Sequence, residues 1–172
     1  DPETGEEVLG DDEIREIMEP RGWEVWRIPG DSPCRDLRIE VIGNNPQAQA
    51  SALDLLAEVF AARCPMPPED IKRDSGSETD WTLSHGLWDG SVLLGCYALR
   101  ETDILTALRD DAIEANQNAV ALNERLSGER LCWGIALAVR DDLHGMGYGR
   151  LLRTVPGQLG FDWSFGLQFK EL

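Results

Sequence analysis

Three glycines alternate through "HGMGYG", His144 to Gly149, between the apolar run "CWGIALAV" and the helix-like segment "YGRLLRTV". Glycine reaches backbone angles closed to other residues and leaves no side chain to hold a ligand away. A run of bare amides at a helix start is an anion site, because N–H groups converge there and the helix dipole adds positive potential. The spacing suits a diphosphate. No lysine follows, so this is not the phosphate loop of nucleotide hydrolases. The flanking order is not a parallel β-α-β unit, so it is not a dinucleotide fingerprint either.

The remaining elements follow from periodicity and punctuation. "DLRIEVIG", Asp36 to Gly43, alternates as a strand does. Asn45 is a cap and Pro46 a first helical residue. Ala52, Leu55, Leu56, Val59 and Phe60 then repeat at helical spacing until "PMPPED" stops them. The polar stretch Ile71 to Asp80 predicts irregular chain with at most one short helical turn. Asp89-Gly90 suits a tight turn, which predicts antiparallel strands over Trp81 to Trp88 and Ser91 to Arg100. Thr102 to Leu126 is helix-periodic, as one long helix or two short ones. A strand from Glu129 or Arg130 to Val139 is apolar enough to lie inside a sheet. A helix starting near Tyr148 is cut short by Pro156, and "FDWSFGLQF" supplies a last strand.

Composition narrows the partners. With 16 basic and 32 acidic residues the chain carries −16, which works against nucleic acid. That charge suits a cationic small molecule or a basic protein; it also serves solubility alone. No apolar stretch approaches the length of a membrane span and no basic-then-apolar leader is present, so no membrane is expected. The expected setting is cytoplasmic, or within a larger particle assembled inside the cell. Cys34, Cys64, Cys96 and Cys132 are too dispersed for a zinc site, so four reduced and mostly buried thiols, and no metal, are expected. The acidic residues 1–35, with Trp23 and Trp26, form an extension that docks on a partner or folds against its own domain. The chain begins at Asp1 rather than Met, so processing or preceding sequence is expected.

The order strand, helix, hairpin, strand, glycine loop, helix, strand resembles the GNAT superfamily of N-acetyltransferases. That family's signature is Gln/Arg-x-x-Gly-x-Gly/Ala. Here His144 stands first, Gly147 fourth and Gly149 sixth. The approach "LAVRDDLHGMGYGRLL" is similar to the family's run, with Asp141 where proline is common. "WDGSVLLGCYAL" looks like its second and third strands. The resemblance covers Asp36 to Leu172. It implies an α/β (α+β) domain with a mixed, mostly antiparallel central sheet flanked by helices, here with a helical insertion at about 102–127.

The resemblance also implies acetyl-CoA as co-substrate, with no metal, and an amine acceptor from a small molecule or protein, drawn by the negative charge if cationic. The diphosphate would lie on Gly145, Met146, Gly147, Tyr148, Gly149 and Arg150, with His144 touching phosphate. The pantetheine arm would pair with backbone at Leu137, Ala138 and Val139, where the fourth strand splays from the fifth. Many members carry a glutamate within the fourth strand as base. Leu131 to Val139 holds no acid, which leaves Glu101, His85 and Glu129 as candidates. The family's elements beyond the fifth strand, including a tyrosine that protonates the departing thiolate, do not follow "LQFKEL" here. They are expected in further sequence or from a partner at that edge. Otherwise the domain is a catalytically silent module used for assembly.

Overall fold

Asp89 and Gly90 reverse the chain, Gly90 at φ +56°, and the sheet grows outward from that hairpin. In a computed structural model of the chain, residues 36–166 are described. The strands are β1 (Leu37–Val41), β2 (His85–Asp89), β3 (Val92–Glu101), β4 (Leu131–Val139) and β5 (Trp163–Gly166). They lie in the order β1-β2-β3-β4-β5, antiparallel throughout except for β4 and β5, which run parallel. The helices are α1 (Pro46–Ala61), α2 (Pro68–Glu78), α3 (Ile104–Asp110), α4 (Gln117–Arg125), α5 (Tyr148–Arg153) and α6 (Val155–Gln158). The expected mixed, mostly antiparallel sheet flanked by helices is therefore observed. Trp23, Trp26, Cys34 and the segment after Gly166 lie outside the described residues.

Local side-chain chemistry starts three of the helices. The Asn45 side chain accepts from the amides of Gln47 and Ala48, and Pro46 occupies the first turn of α1. Asp103 caps α3 by accepting from the Thr106 amide at 2.9 Å, and Asn116 caps α4 through the Ala119 amide at 2.9 Å. Between α3 and α4 the chain breaks at Ala112, φ +55°, so the inserted region is two short helices. α1 lays Ala52, Leu55, Leu56 and Val59 on Cys96, Ala98 and Ala138 of the sheet. Each buried Leu or Val there contributes roughly 1.5–3 kcal/mol. Gly95 admits α5 to the sheet: a Cβ there would meet Leu152 Cδ1 and the Ala138 carbonyl, both at 3.0 Å.

Two expectations need correction. Residues 68–78 form a full helix rather than irregular chain. α2 buries only Ile71, so it lacks apolar periodicity. Pro68 starts it, Glu69 and Asp70 suit its first turn, and i,i+3 pairs Glu69–Lys72 (3.4 Å) and Asp70–Arg73 (2.7 Å) brace it. Second, β2 begins at His85, not Trp81. Asp80 folds the preceding residues into a turn, its carboxylate accepting from the Thr82 amide and its carbonyl from the Ser84 amide. Of the cysteines described, Cys64, Cys96 and Cys132 are free thiols, the last two buried. Among the described residues no helix is long and apolar enough to cross a membrane.

Replacing Asn45 with Ala removes the α1 cap and should cost about 1 kcal/mol of stability in urea unfolding. A second expectation concerns Glu78, whose carboxyl is held above its ordinary value by burial, with the Asp111 charge adding and Arg100 opposing. The folded chain holds that proton more tightly than the unfolded chain. Stability therefore falls as pH rises from the unfolded to the folded pKa. Glu78→Gln should be more stable than the parent at neutral pH, the difference vanishing below about pH 4, where the unfolded carboxyl is itself protonated. Stability curves at the two pH values check this.

Candidate functional site

A short 3-10 turn, Asp141–Leu143, leads from β4 into the glycine loop, and buried Leu143 anchors it. Gly145 and Gly147 take φ +82° and +83°, the left-handed region that favours glycine. Few amides of the loop turn inward. His144 N–H donates to the Asp141 carbonyl (3.3 Å), Met146 N–H to Leu143 (3.4 Å), and Leu151 N–H opens the helix on Gly147 (3.1 Å). The N–H groups of Gly145, Gly147, Gly149 and Arg150 donate to no acceptor among the described residues. A Cβ on Gly145 would meet nothing within 4 Å, so the loop opens outward there. Gly149 instead lies against β4, 3.5 Å from Leu137 Cδ2, and the Tyr148 side chain is buried.

Charge around the loop is sorted by ion pairing. Asp142 is held by Arg140 at 2.9 Å, and Asp141 lies 3.4 Å from Arg63. His144 Nε2–H donates to the Val139 carbonyl at 3.0 Å and lies 3.5 Å from Asp141. Its ring thus closes the loop onto the end of β4. Arg150 and Arg153, one helical turn apart, form no ion pair among the described residues.

β4 pairs with β5 only from Leu131↔Trp163 to Gly134↔Gly166 among the described residues, while its β3 edge is paired up to Val139. Ile135 is the extra residue of a bulge opposite Ala98 and Leu99. The residues that would face Leu137, Ala138 and Val139 across a continued β5 lie outside the described residues. Leu137 and Val139 pack under Gly149 and Ala138 joins the α1 core, so these residues offer a ligand their backbone rather than their side chains.

Tyr97 reaches from β3 across β4 to β5. From β3 its ring lies over Gly134, where a Cβ would come within 2.7 Å of the phenolic oxygen, and its hydroxyl lies 3.3 Å from Ser164 Oγ of β5. Burial holds the phenol above its ordinary pKa, against the Ser164 hydrogen bond and the Arg153 charge. Sequence reasoning passed over Tyr97, Ser164 and Arg153. The available signal was Gly134, a glycine inside an apolar strand, which marks a bulky neighbour.

The three candidate bases separate clearly. His85 faces Tyr97 across the β2–β3 register, its Nδ1–H donating to the Leu83 carbonyl at 2.8 Å. Cross-strand partners share a face, so His85, Tyr97 and Leu137 form one row. Glu101 lies opposite Cys132, seven residues along β4 from Val139, or about 23 Å from the loop end. Both its oxygens accept from Arg130, each at 3.1 Å. Glu129 is exposed ahead of β4. Cys132 is no nucleophile at neutral pH: burial, then the Glu101 charge, pushes its thiol up to about 12.

No protein-family model matches the sequence, and no curated protein matches it. Solved structures do. An agmatine N-acetyltransferase mutant in its apo form is 15% identical, with a TM-score of 0.50 over 77% of this chain and 75% of that one. An aminoglycoside acetyltransferase from an uncultured soil metagenomic sample, in complex with trehalose, is 17% identical with a TM-score of 0.49 over 78% of each chain. A mosquito protein called arylalkylamine N-acetyltransferase like 5b is 15% identical with a TM-score of 0.49 over 76% of each. At such identities likeness speaks for fold alone. Together with the hairpin, the parallel pairing of β4 with β5 and the glycine loop that follows β4, it shows that this chain has the fold of the GNAT N-acetyltransferases.

Proposed function

We propose that the protein is an N-acetyltransferase that moves an acetyl group from acetyl-CoA to an amine. The observation that carries this reading is the set of undonated amides at Gly145, Gly147, Gly149 and Arg150, in a loop that is open at Gly145 and carries Arg150 and Arg153 without ion pairs among the described residues. Such a set fits a diphosphate, whose oxygens accept from several N–H groups and from guanidinium at once. A module kept only for assembly has no use for a loop left open in this way.

In the reaction a neutral amine attacks the thioester carbon. A C–N bond forms, the C–S bond breaks with its electron pair going to sulfur, and one proton passes from nitrogen to the thiolate. Alignment of amine and thioester removes most of the entropic barrier. In this reading the pantetheine arm pairs with the backbone edge of β4 away from β3, at Leu137 to Val139, just before the glycine loop. Tyr97 is the proton donor. Its phenol is protonated at neutral pH, burial raising it further, and its hydroxyl lies beside Ser164 of β5. His85, on the same face, has Nε2 available to accept a proton while Nδ1–H is held by Leu83; Glu101, tied to Arg130, is not so placed.

Calorimetric titration should show acetyl-CoA binding to the parent. Gly147→Asp, which puts a carboxylate at a left-handed position inside the cradle, should raise Kd at least about tenfold with the fold retained by circular dichroism. Unchanged affinity would remove the loop from the site. Tyr97→Phe should leave acetyl-CoA affinity alone and lower kcat by about 10²-fold, the lower end for a positioned proton donor. An undiminished kcat assigns the proton to another group.

A further inference from the structure

We infer that Ser164 is a positioning residue of the transfer: its hydroxyl donates to the Tyr97 oxygen, which leaves the phenolic proton free for the departing thiolate and stabilises the phenolate that remains. This rests on the N-acetyltransferase reading and adds a residue to that same site. Tyr97 is buried, and its hydroxyl meets Ser164 Oγ at 3.3 Å. Strand pairing, not a loop, sets that meeting. Tyr97 is registered with Leu137 on one edge of β4, and Ser164 with Cys132 on the other. The ring crosses β4 over Gly134, where a Cβ would come within 2.7 Å of the phenolic oxygen and 2.9 Å of Cε2. A Cβ on Gly166 would lie 2.9 Å from the Gly134 carbonyl oxygen, so β5 is packed closely on β4 beside the phenol.

The direction of the hydrogen bond follows from the chemistry. A phenol has one proton to give, and its oxygen can also accept. If Tyr97 donates to Ser164, that proton points into β5 and is lost to the reaction. If Ser164 donates, the phenolic proton is free to go to sulfur. The Tyr97 O–H bond then breaks as the S–H bond forms, and the oxygen takes a full negative charge in a buried place. Such a charge is costly without a donor, and a hydrogen bond to an ionised oxygen is stronger than one to a neutral phenol. The Ser164 bond therefore strengthens as the proton leaves, which lowers the barrier rather than the ground state. The proton released by the amine nitrogen restores the phenol, so the cycle needs no further reactant.

The other groups around the phenol do not replace Ser164. Burial raises the phenol, and the Ser164 hydrogen bond and the Arg153 charge oppose that rise. Cys132, on β4, is pushed up to about 12 and stays a neutral thiol. His85, the β2 partner of Tyr97 in the register, has its Nδ1–H committed to the Leu83 carbonyl. Arg153 of α5 acts on the phenol through its charge, whereas Ser164 touches the oxygen that loses the proton. A serine that only satisfied a buried hydroxyl would hold the ring equally well with the bond in either direction. Its loss would then be felt whether or not Tyr97 carries a proton.

The test is a double-mutant cycle on CoA release, with hydroxylamine as a nucleophile already neutral at neutral pH, alongside acetyl-CoA affinity by calorimetry. Ser164→Ala should lower kcat about tenfold, the scale of one hydrogen bond to a charged group, and leave acetyl-CoA affinity unchanged. In a Tyr97→Phe background the same substitution should have no further effect. Ser164→Thr, which keeps a hydroxyl, should restore kcat. Circular dichroism checks that each variant is folded. A second readout needs no turnover: with 13C-labelled tyrosine, the Tyr97 Cζ resonance, identified by its loss in Tyr97→Phe, should titrate at higher pH in Ser164→Ala than in the parent. Equal losses of kcat in both backgrounds, or an unmoved Tyr97 titration, would overturn the role of Ser164 and leave the transferase reading intact. Failure of acetyl-CoA to bind at all would overturn both.

Discussion

β4 has β3 on one edge and β5, a parallel neighbour, on the other. That parallel pairing organises the molecule. A parallel neighbour cannot be reached by a tight turn, so β4 must be followed by a crossover. The crossover is the glycine loop with α5 and α6, which begins where β4 ends at Val139. The same constraint therefore places the loop's undonated amides directly after β4. The antiparallel hairpin of β2 and β3 supplies the rigid side against which β4 is held.

Close approach depends on where side chains are absent. Gly95 lets Leu152 of α5 reach β3, Gly149 lets α5 settle over Leu137, and Gly134 makes room for the Tyr97 ring. Each contact links elements on different strands, and together they bring a buried phenol, a bulged strand and the start of the crossover into one region. Tight interiors respond to a single added methyl group. Substitutions at these glycines would therefore move the site as well as weaken the fold.

The parts that could be read from the sequence are those whose cause is local. Asn45 and Pro46 start a helix within four residues, Asp89-Gly90 closes a hairpin by itself, and the alternating glycines after Val139 announce a loop of exposed amides. What could not be read depends on register or on polar bracing. α2 is held by Glu69, Asp70, Lys72 and Arg73 rather than by an apolar stripe, so periodicity misses it. Tyr97 meets Ser164 only because β3 and β4 pair across the inserted α3 and α4, with Ile135 bulged out to set the offset. Glu101 looks like a free acid in the sequence and is a bidentate partner of Arg130 in the fold.

Net charge is a poor guide to where this molecule receives anions, because it averages over paired groups. Arg38, Arg63, Arg73, Arg100, Arg109, Arg130 and Arg140 each reach a carboxylate. Among the described arginines only Arg125, Arg150 and Arg153 do not. In a chain with twice as many acids as bases, a guanidinium left without a carboxylate is the exception, and two of these three, Arg150 and Arg153, stand beside the undonated amides of the loop. Surface ion pairs contribute little to stability, so their chief consequence here is electrostatic. They cancel charge elsewhere and leave local positive potential at the loop, which is what the proposed diphosphate site requires.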